Sequence, residues 1–155
     1  MVFQTPTSTS RELRLEYDFE ESVGYWLVLA AQAYQKALSD ELAPHGITFR
    51  QGQVLGWLIL EGDLPQVELA ARMMIEPATL VGVLDRMERD QWISRMSSPA
   101  DRRQKLIRVK PQAREVWKHV AACARRVRAR GVEGLTERQV NALKKTLRTV
   151  LGNLA

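Results

Sequence analysis

A single cysteine among 155 residues has no partner within the chain, so an internal disulfide is excluded and a reducing, cytoplasmic compartment is expected. No apolar run approaches the ~20 residues of a bilayer-spanning helix, so no membrane partner is expected. Catalytic signatures are also missing. The sequence has no phosphate-cradling glycine loop, no His-Glu-x-x-His and no cysteine pair. Its two histidines, His45 and His119, lie far apart with no metal-ligand spacing. Neither enzyme activity, nor a cofactor, nor a metal site is expected. Met1–Ser10 lacks the basic start and apolar stretch of a signal peptide, and residues 1–19 read as a mostly disordered tail leading into the first helix.

Negative charge is scarce in one region. Residues 86–130 hold 14 basic and 4 acidic side chains, whereas residues 1–85 hold 5 basic and 12 acidic. The formal balance of +5 hides this division. A basic block on an otherwise acidic chain implies a polyanionic partner for that block alone. Arg125, Arg126, Arg128 and Arg130, beyond the hairpin, read rather as a solvated helix face.

The stretch Glu76–Val109 carries the most information. Leu80, Val83, Leu84 and Met87 have the spacing of one helical stripe, and Pro77 suits a first helical turn. After Trp92 the pattern changes to short β-type runs, Ile93–Met96 and Lys105–Val109. Between them Ser97–Gln104 reads as a solvated hairpin tip carrying Asp101, Arg102 and Arg103. A helix followed by a hairpin with arginines at its tip points to a winged-helix reader of double-stranded DNA. Its helix would enter a major groove and its tip the adjacent minor groove.

Around this unit the chain is helical. A first helix is expected from about Glu20 to Leu42, with Val23, Trp26, Leu27, Tyr34, Leu38 and Leu42 on one face. Thr48 and Gln51 form a capping-box pattern that opens a second helix through Leu60. Pro65 starts a third helix, Gln66–Met73, which makes a helix-turn-helix with the fourth. Pro111 begins a long helix striped by Val116, Trp117, Val120, Cys123 and Val127, and Gly131 and Gly134 break it. Cys123 therefore reads as a packed thiol. A second capping box, Thr136 with Gln139, opens a last helix bearing Val140, Leu143, Leu147, Val150, Leu151 and Leu154. The first and last helices carry apolar faces that one small reading lobe cannot cover. A homodimer supplies the missing surface and matches two-fold DNA half-sites; a larger monomeric helical core is the alternative.

From about Glu20 to its end, the chain resembles the MarR family of bacterial transcriptional regulators, most closely the SlyA-like branch. The residues that carry the likeness are Gln66–Ala70, Glu76–Val81, Leu84–Arg89, Ile93–Arg95 and the wing signature Asp101-Arg102-Arg103. The resemblance implies a mainly α fold with a small β-hairpin. A winged helix-turn-helix at about 47–110 would be flanked by dimerisation helices at about 20–43 and 111–155, all in a single domain, 20–155. It also implies a homodimer that binds a pseudo-palindromic operator, usually as a repressor, and that a small aromatic or anionic ligand releases.

The candidate DNA-binding residues are Gln66, Pro77, Ala78, Thr79, Val81, Gly82, Arg86, Arg95, Arg102 and Arg103. By resemblance Arg103 enters the minor groove, and Asp101 positions the wing with Arg86 as its expected partner. Trp26, Trp57 and Trp117 are candidates for a ligand pocket, with core packing as the plainer account. Two departures stand out. Relatives of this branch often carry a basic residue where this chain has Gly82, and usually a glycine where it has Asp90-Gln91. Gly82 leaves a second reading open, a nucleoid-associated or protein-interaction module with weakened sequence readout.

Overall fold

A computed structural model describes residues 18–155. The expected tail at 1–19 therefore lies almost wholly outside the described residues. The chain divides into two compact units between Ala33 and Tyr34, within helix α1, Val23–Leu42.

In the first unit, a turn closed by Ser22 N–H donating to the Phe19 carbonyl precedes α1. The helix begins three residues later than the apolar pattern suggests. Ser22 Oγ accepts from the Tyr25 N–H at 3.4 Å, the position of an N-cap, so the backbone upstream of Ser22 is not helical. Phe19, Tyr25 and Trp26 meet edge to face, and the Trp26 indole N–H donates to the Glu20 carbonyl at 2.7 Å. Val23, Trp26 and Val28 are exposed.

The second unit holds the core. After a 3-10 turn at Ala43–His45 come α2 (Phe49–Glu61), β1 (Leu64–Pro65), α3 (Gln66–Arg72) and α4 (Pro77–Arg89). Then follow β2 (Ile93–Ser97), β3 (Lys105–Val109), α5 (Ala113–Gly131) and α6 (Glu137–Leu154). The three strands form an antiparallel sheet in the order β1-β3-β2, with Arg95 opposite Ile107 and Leu64 opposite Ile107 on the other side. The mainly helical fold with a small wing is the one expected.

Local chemistry accounts for the boundaries. Both predicted capping boxes are present, with Thr48 and Gln51 opening α2 and Thr136 and Gln139 opening α6. Pro77 occupies the first turn of α4. Strand β1 has no counterpart in the sequence reading. Two residues are too few to alternate, and its proline is tolerated because the strand lies on the sheet edge. Helix α5 starts at Ala113, because the Ala113 and Arg114 N–H groups donate to Lys110 and Pro111 in a preceding turn.

Leu42, Val54, Leu55, Leu69, Leu80, Leu84, Met87, Ile93, Ile107 and Cys123 are fully buried and tie α2, α3, α4, the sheet and α5 around one core. Helix α6 contributes no buried residue, and Leu143, Leu151 and Leu154 are exposed on it. Among the described residues no helix is long and apolar enough to cross a membrane.

Candidate nucleic-acid interface

Helix α4 separates its two faces cleanly. Leu80, Val83, Leu84 and Met87 are buried, whereas Ala78, Thr79, Val81, Gly82, Asp85, Arg86 and Arg89 are exposed on the opposite side. Pro77 is exposed at its start, and Gln66 is half-buried at the first residue of α3. A Cβ built on Gly82 would meet nothing within 4 Å, so the middle of the exposed face holds an open gap. Helix α3 supports this arrangement from behind through buried Leu69 and Ala70. Arg72 docks α3 onto the end of α2 with a forked contact to Glu61 at 3.0–3.1 Å.

Both ends of α4 adjoin residues in the left-handed region. Met74 has φ +52 in the turn before it, and Gln91 has φ +62 just after it. The second explains the departure noted at Asp90-Gln91. The backbone takes the conformation a glycine would favour, but a glutamine adopts it. Its amide donates to the Glu88 carbonyl at 3.2 Å and its side-chain oxygen accepts from Lys110 Nζ.

Arg95 has partners on α4 that the sequence reading did not name. Its guanidinium faces inward, with the side chain only 19% exposed, and donates to Asp85 and Glu88 of α4 at 2.7 Å each. Its backbone N–H donates to Glu88 as well. Burial works against its charge, but the hydrogen bonds to Asp85 and then Glu88 outweigh it and the pKa is raised. These donors bond the protein, so Arg95 clasps the wing to α4. Sequence reasoning missed Asp85 and Glu88 as its partners. The available signal was their spacing of three residues, which puts both on one side of the helix.

The wing tip is organised by its own residues. Asp101 Oδ1 accepts from the Arg103 backbone N–H at 2.9 Å, and the Gln104 N–H donates to the Asp101 carbonyl. Ser98 is buried, and its Oγ accepts from the N–H groups of Ala100 and Asp101 at 3.2 and 3.4 Å. Two expectations are corrected here. Asp101 holds the turn through the backbone and makes no ion pair with Arg86, and one residue of the tip is buried under it. Arg86, Arg102 and Arg103 are exposed, and none makes an ion pair among the described residues. At the other end of β3, Arg108 is anchored to Asp63 at 2.7 Å.

The sequence profile of the MarR family matches residues 47–105, which span α2, α3, α4 and β2 and reach the start of β3. Over that segment the chain is similar to the MarR family. Among its relatives, the uncharacterized Bacillus subtilis HTH-type transcriptional regulator YsmB is 26% identical over 90% of this chain and 92% of its own length. Bordetella bronchiseptica BpsR, whose DNA binding is regulated by 6-hydroxynicotinic acid, is 26% identical. That match has a TM-score of 0.75 and covers 88% of this chain and 97% of that one. A mutant MarR from E. coli complexed with operator DNA shares the fold, with a TM-score of 0.77 at 22% identity over 89% of this chain and 99% of its own.

Of the three candidate tryptophans, Trp57 and Trp117 pack partly buried against the core of the second unit, while Trp26 is exposed in the first. A Cβ on Gly56 would lie 3.9 Å from the Trp117 ring, ordinary contact that α2 makes with α5. His45 and His119, remote in sequence, stack with ring centroids 4.6 Å apart.

Proposed function

We propose that this chain is a dimeric, sequence-specific DNA-binding transcriptional regulator, acting as a repressor that a small aromatic or anionic effector releases. The single observation that carries the reading is the division of labour among the basic side chains. Among the described residues Arg86 on the exposed face of α4, and Arg102 and Arg103 at the wing tip, make no ion pair, whereas Arg95 and Arg108 are paired internally. In this reading α4 lies in the major groove with Pro77, Ala78, Thr79, Val81, Gly82 and Arg86 toward the bases. Gln66 contacts the backbone, and Arg102 and Arg103 reach the minor groove. Asp101 positions the wing by fixing the backbone at Arg103. Arg95 acts one step back, by holding the wing against the reading helix.

A homodimer is supported by α6, which has a full apolar stripe and no buried residue. In the proposed organisation residues of about 47–110 read DNA, while about 20–43 and 111–155 pair two copies, all in one domain. Sedimentation equilibrium is expected to give a dimer at micromolar concentration, and a monomer would overturn this part. Trp57 and Trp117 remain the proposed aromatic ligand surface. A single buried, reduced cysteine fits action in the cytoplasm.

Gly82 favours a second reading, a nucleoid-associated or protein-interaction module with weak base readout, because the centre of the reading face offers no side chain. Selection of bound sequences from random DNA separates the two. A two-fold consensus supports the regulator, and enrichment without a consensus supports the module.

A further inference from the structure

Away from the reading face, the second unit holds a cleft of about 390 Å3 among the last turns of α1, the Ala43–His45 turn and the C-terminal half of α5. Asp40, Glu41, His45, Arg126 and Arg130 line it, with Ala37 and Pro44 the apolar residues of the lining. Its electrostatics are unbalanced. Asp40 is already paired with Lys36 at 2.7 Å, which leaves one carboxylate, Glu41, facing two guanidinium groups. Arg126 donates through Nε to Glu41 at 2.8 Å and through Nη2 to Cys123 Sγ at 3.3 Å. Arg130 Nη1 stands 3.7 Å from Glu41, past hydrogen-bond distance, so its donors are unused among the described residues. The His45–His119 stack ties the turn to α5 and fixes one wall.

A flat aromatic molecule wants a mostly apolar pocket with a few polar groups. This cleft is the reverse. Two arginines four residues apart on one helix project to the same side, and their planar forks suit closely spaced oxyanions. We propose that the cleft binds a small polyanion, bearing two or more adjacent carboxylate or phosphate charges, across Arg126 and Arg130. Glu41 is the internal competitor for the same two groups, and the ligand exchanges with it. As a means of regulating DNA binding the site rests on the proposed function; as a binding site it does not. It joins α1 to α5, two helices proposed to pair the subunits, so occupancy would alter how the reading lobes are held.

The test is calorimetric titration of the full chain with citrate, inorganic phosphate and benzoate at matched ionic strength. Citrate or phosphate is expected to bind and benzoate to bind more weakly at this cleft; which of the first two binds more tightly identifies the carboxylate or the phosphate source. Arg130→Ala should weaken binding by roughly tenfold or more, as loss of a charge-assisted partner does. Arg128→Ala removes the same charge from the same helix outside the cleft and should change little. Glu41→Gln should tighten binding, which keeps the proposal testable if Arg130→Ala fails to fold. The inference is overturned if neither polyanion binds at millimolar concentration, or if Arg128→Ala and Arg130→Ala lose affinity equally. A two-fold operator consensus obtained from the same preparation would show that the regulator reading survives such a failure.

Discussion

Gly82→Ala isolates helix stability from base reading at one position. Glycine inside a helix costs about 0.8–1.0 kcal/mol relative to alanine, through backbone entropy and exposed peptide groups. Realising that difference requires a helical residue and space for a methyl group. Gly82 lies in the middle of Pro77–Arg89, and a Cβ there meets nothing within 4 Å. No neighbour has to move, so the full ~1 kcal/mol should appear, which for a chain of this size is a rise in melting temperature of roughly 2–4 °C. Urea and thermal denaturation at one fixed protein concentration measure it, since a dimer's stability depends on concentration. A methyl group cannot hydrogen-bond a base edge, so the DNA sequences selected by Gly82→Ala should match those of the parent. Gly82→Arg makes the contrast. It should gain similar helix stability and also change the preferred bases, because a guanidinium bridging guanine O6 and N7 discriminates by about 1–3 kcal/mol. An equal gain on scrambled DNA with a steeper salt dependence would mean that only phosphate is contacted. If Gly82→Ala were neutral or destabilising, the open gap in the exposed face would not exist and this placement of α4 would be refuted.

The other predictions concern the joints of the reading unit. Gln91→Gly should raise stability by up to ~1 kcal/mol by relieving the left-handed backbone at φ +62, less the loss of two exposed side-chain hydrogen bonds; a drop in urea midpoint would show that those bonds outweigh the strain. Arg95→Ala should cost about 1–2 kcal/mol of stability, discounted because Asp85 and Glu88 can rehydrate. It should also weaken operator binding beyond that loss, since two acidic groups would lie uncompensated beside the DNA-facing surface; unchanged affinity would count against the clasp. Arg103→Ala should weaken operator binding by ~1–3 kcal/mol with the fold intact, measured by fluorescence anisotropy at physiological salt. Asp101→Ala should weaken it too, although it removes a negative charge, because the Arg103 N–H loses its acceptor. Tighter binding by that variant would assign Asp101 to simple repulsion.

Sequence legibility followed the range of the interaction. The stripe Leu80, Val83, Leu84 and Met87 and both capping boxes depend on residues three or four apart, and these elements stand where the spacing puts them. The hairpin strands and the exposed arginines of the tip were readable for the same reason. Interactions that cross elements were not. Arg95 meets Asp85 and Glu88 only because β2 folds back along α4, and a basic residue in a basic block gives no sign of being neutralised. Asp101 was expected to seek a distant arginine, but a short carboxylate in a tight turn reaches the N–H two residues on more easily. The His45–His119 stack required α5 to pass the Ala43–His45 turn, which no local pattern records. At Gln91 the departure from glycine was visible, but not that the backbone kept the left-handed geometry regardless.

The clasp formed by Arg95 has a consequence for the operator rather than for the protein. Because one side chain bonds the strand to two successive turns of the helix, α4 and the wing behave as the two fixed arms of a caliper. A caliper measures distance before it reads letters. In the proposed docking, the spacing between the base pairs facing the helix and the minor groove facing the tip would become part of the recognised signal. Inserting one base pair between them should cost both contacts at once, as a flexible wing would not.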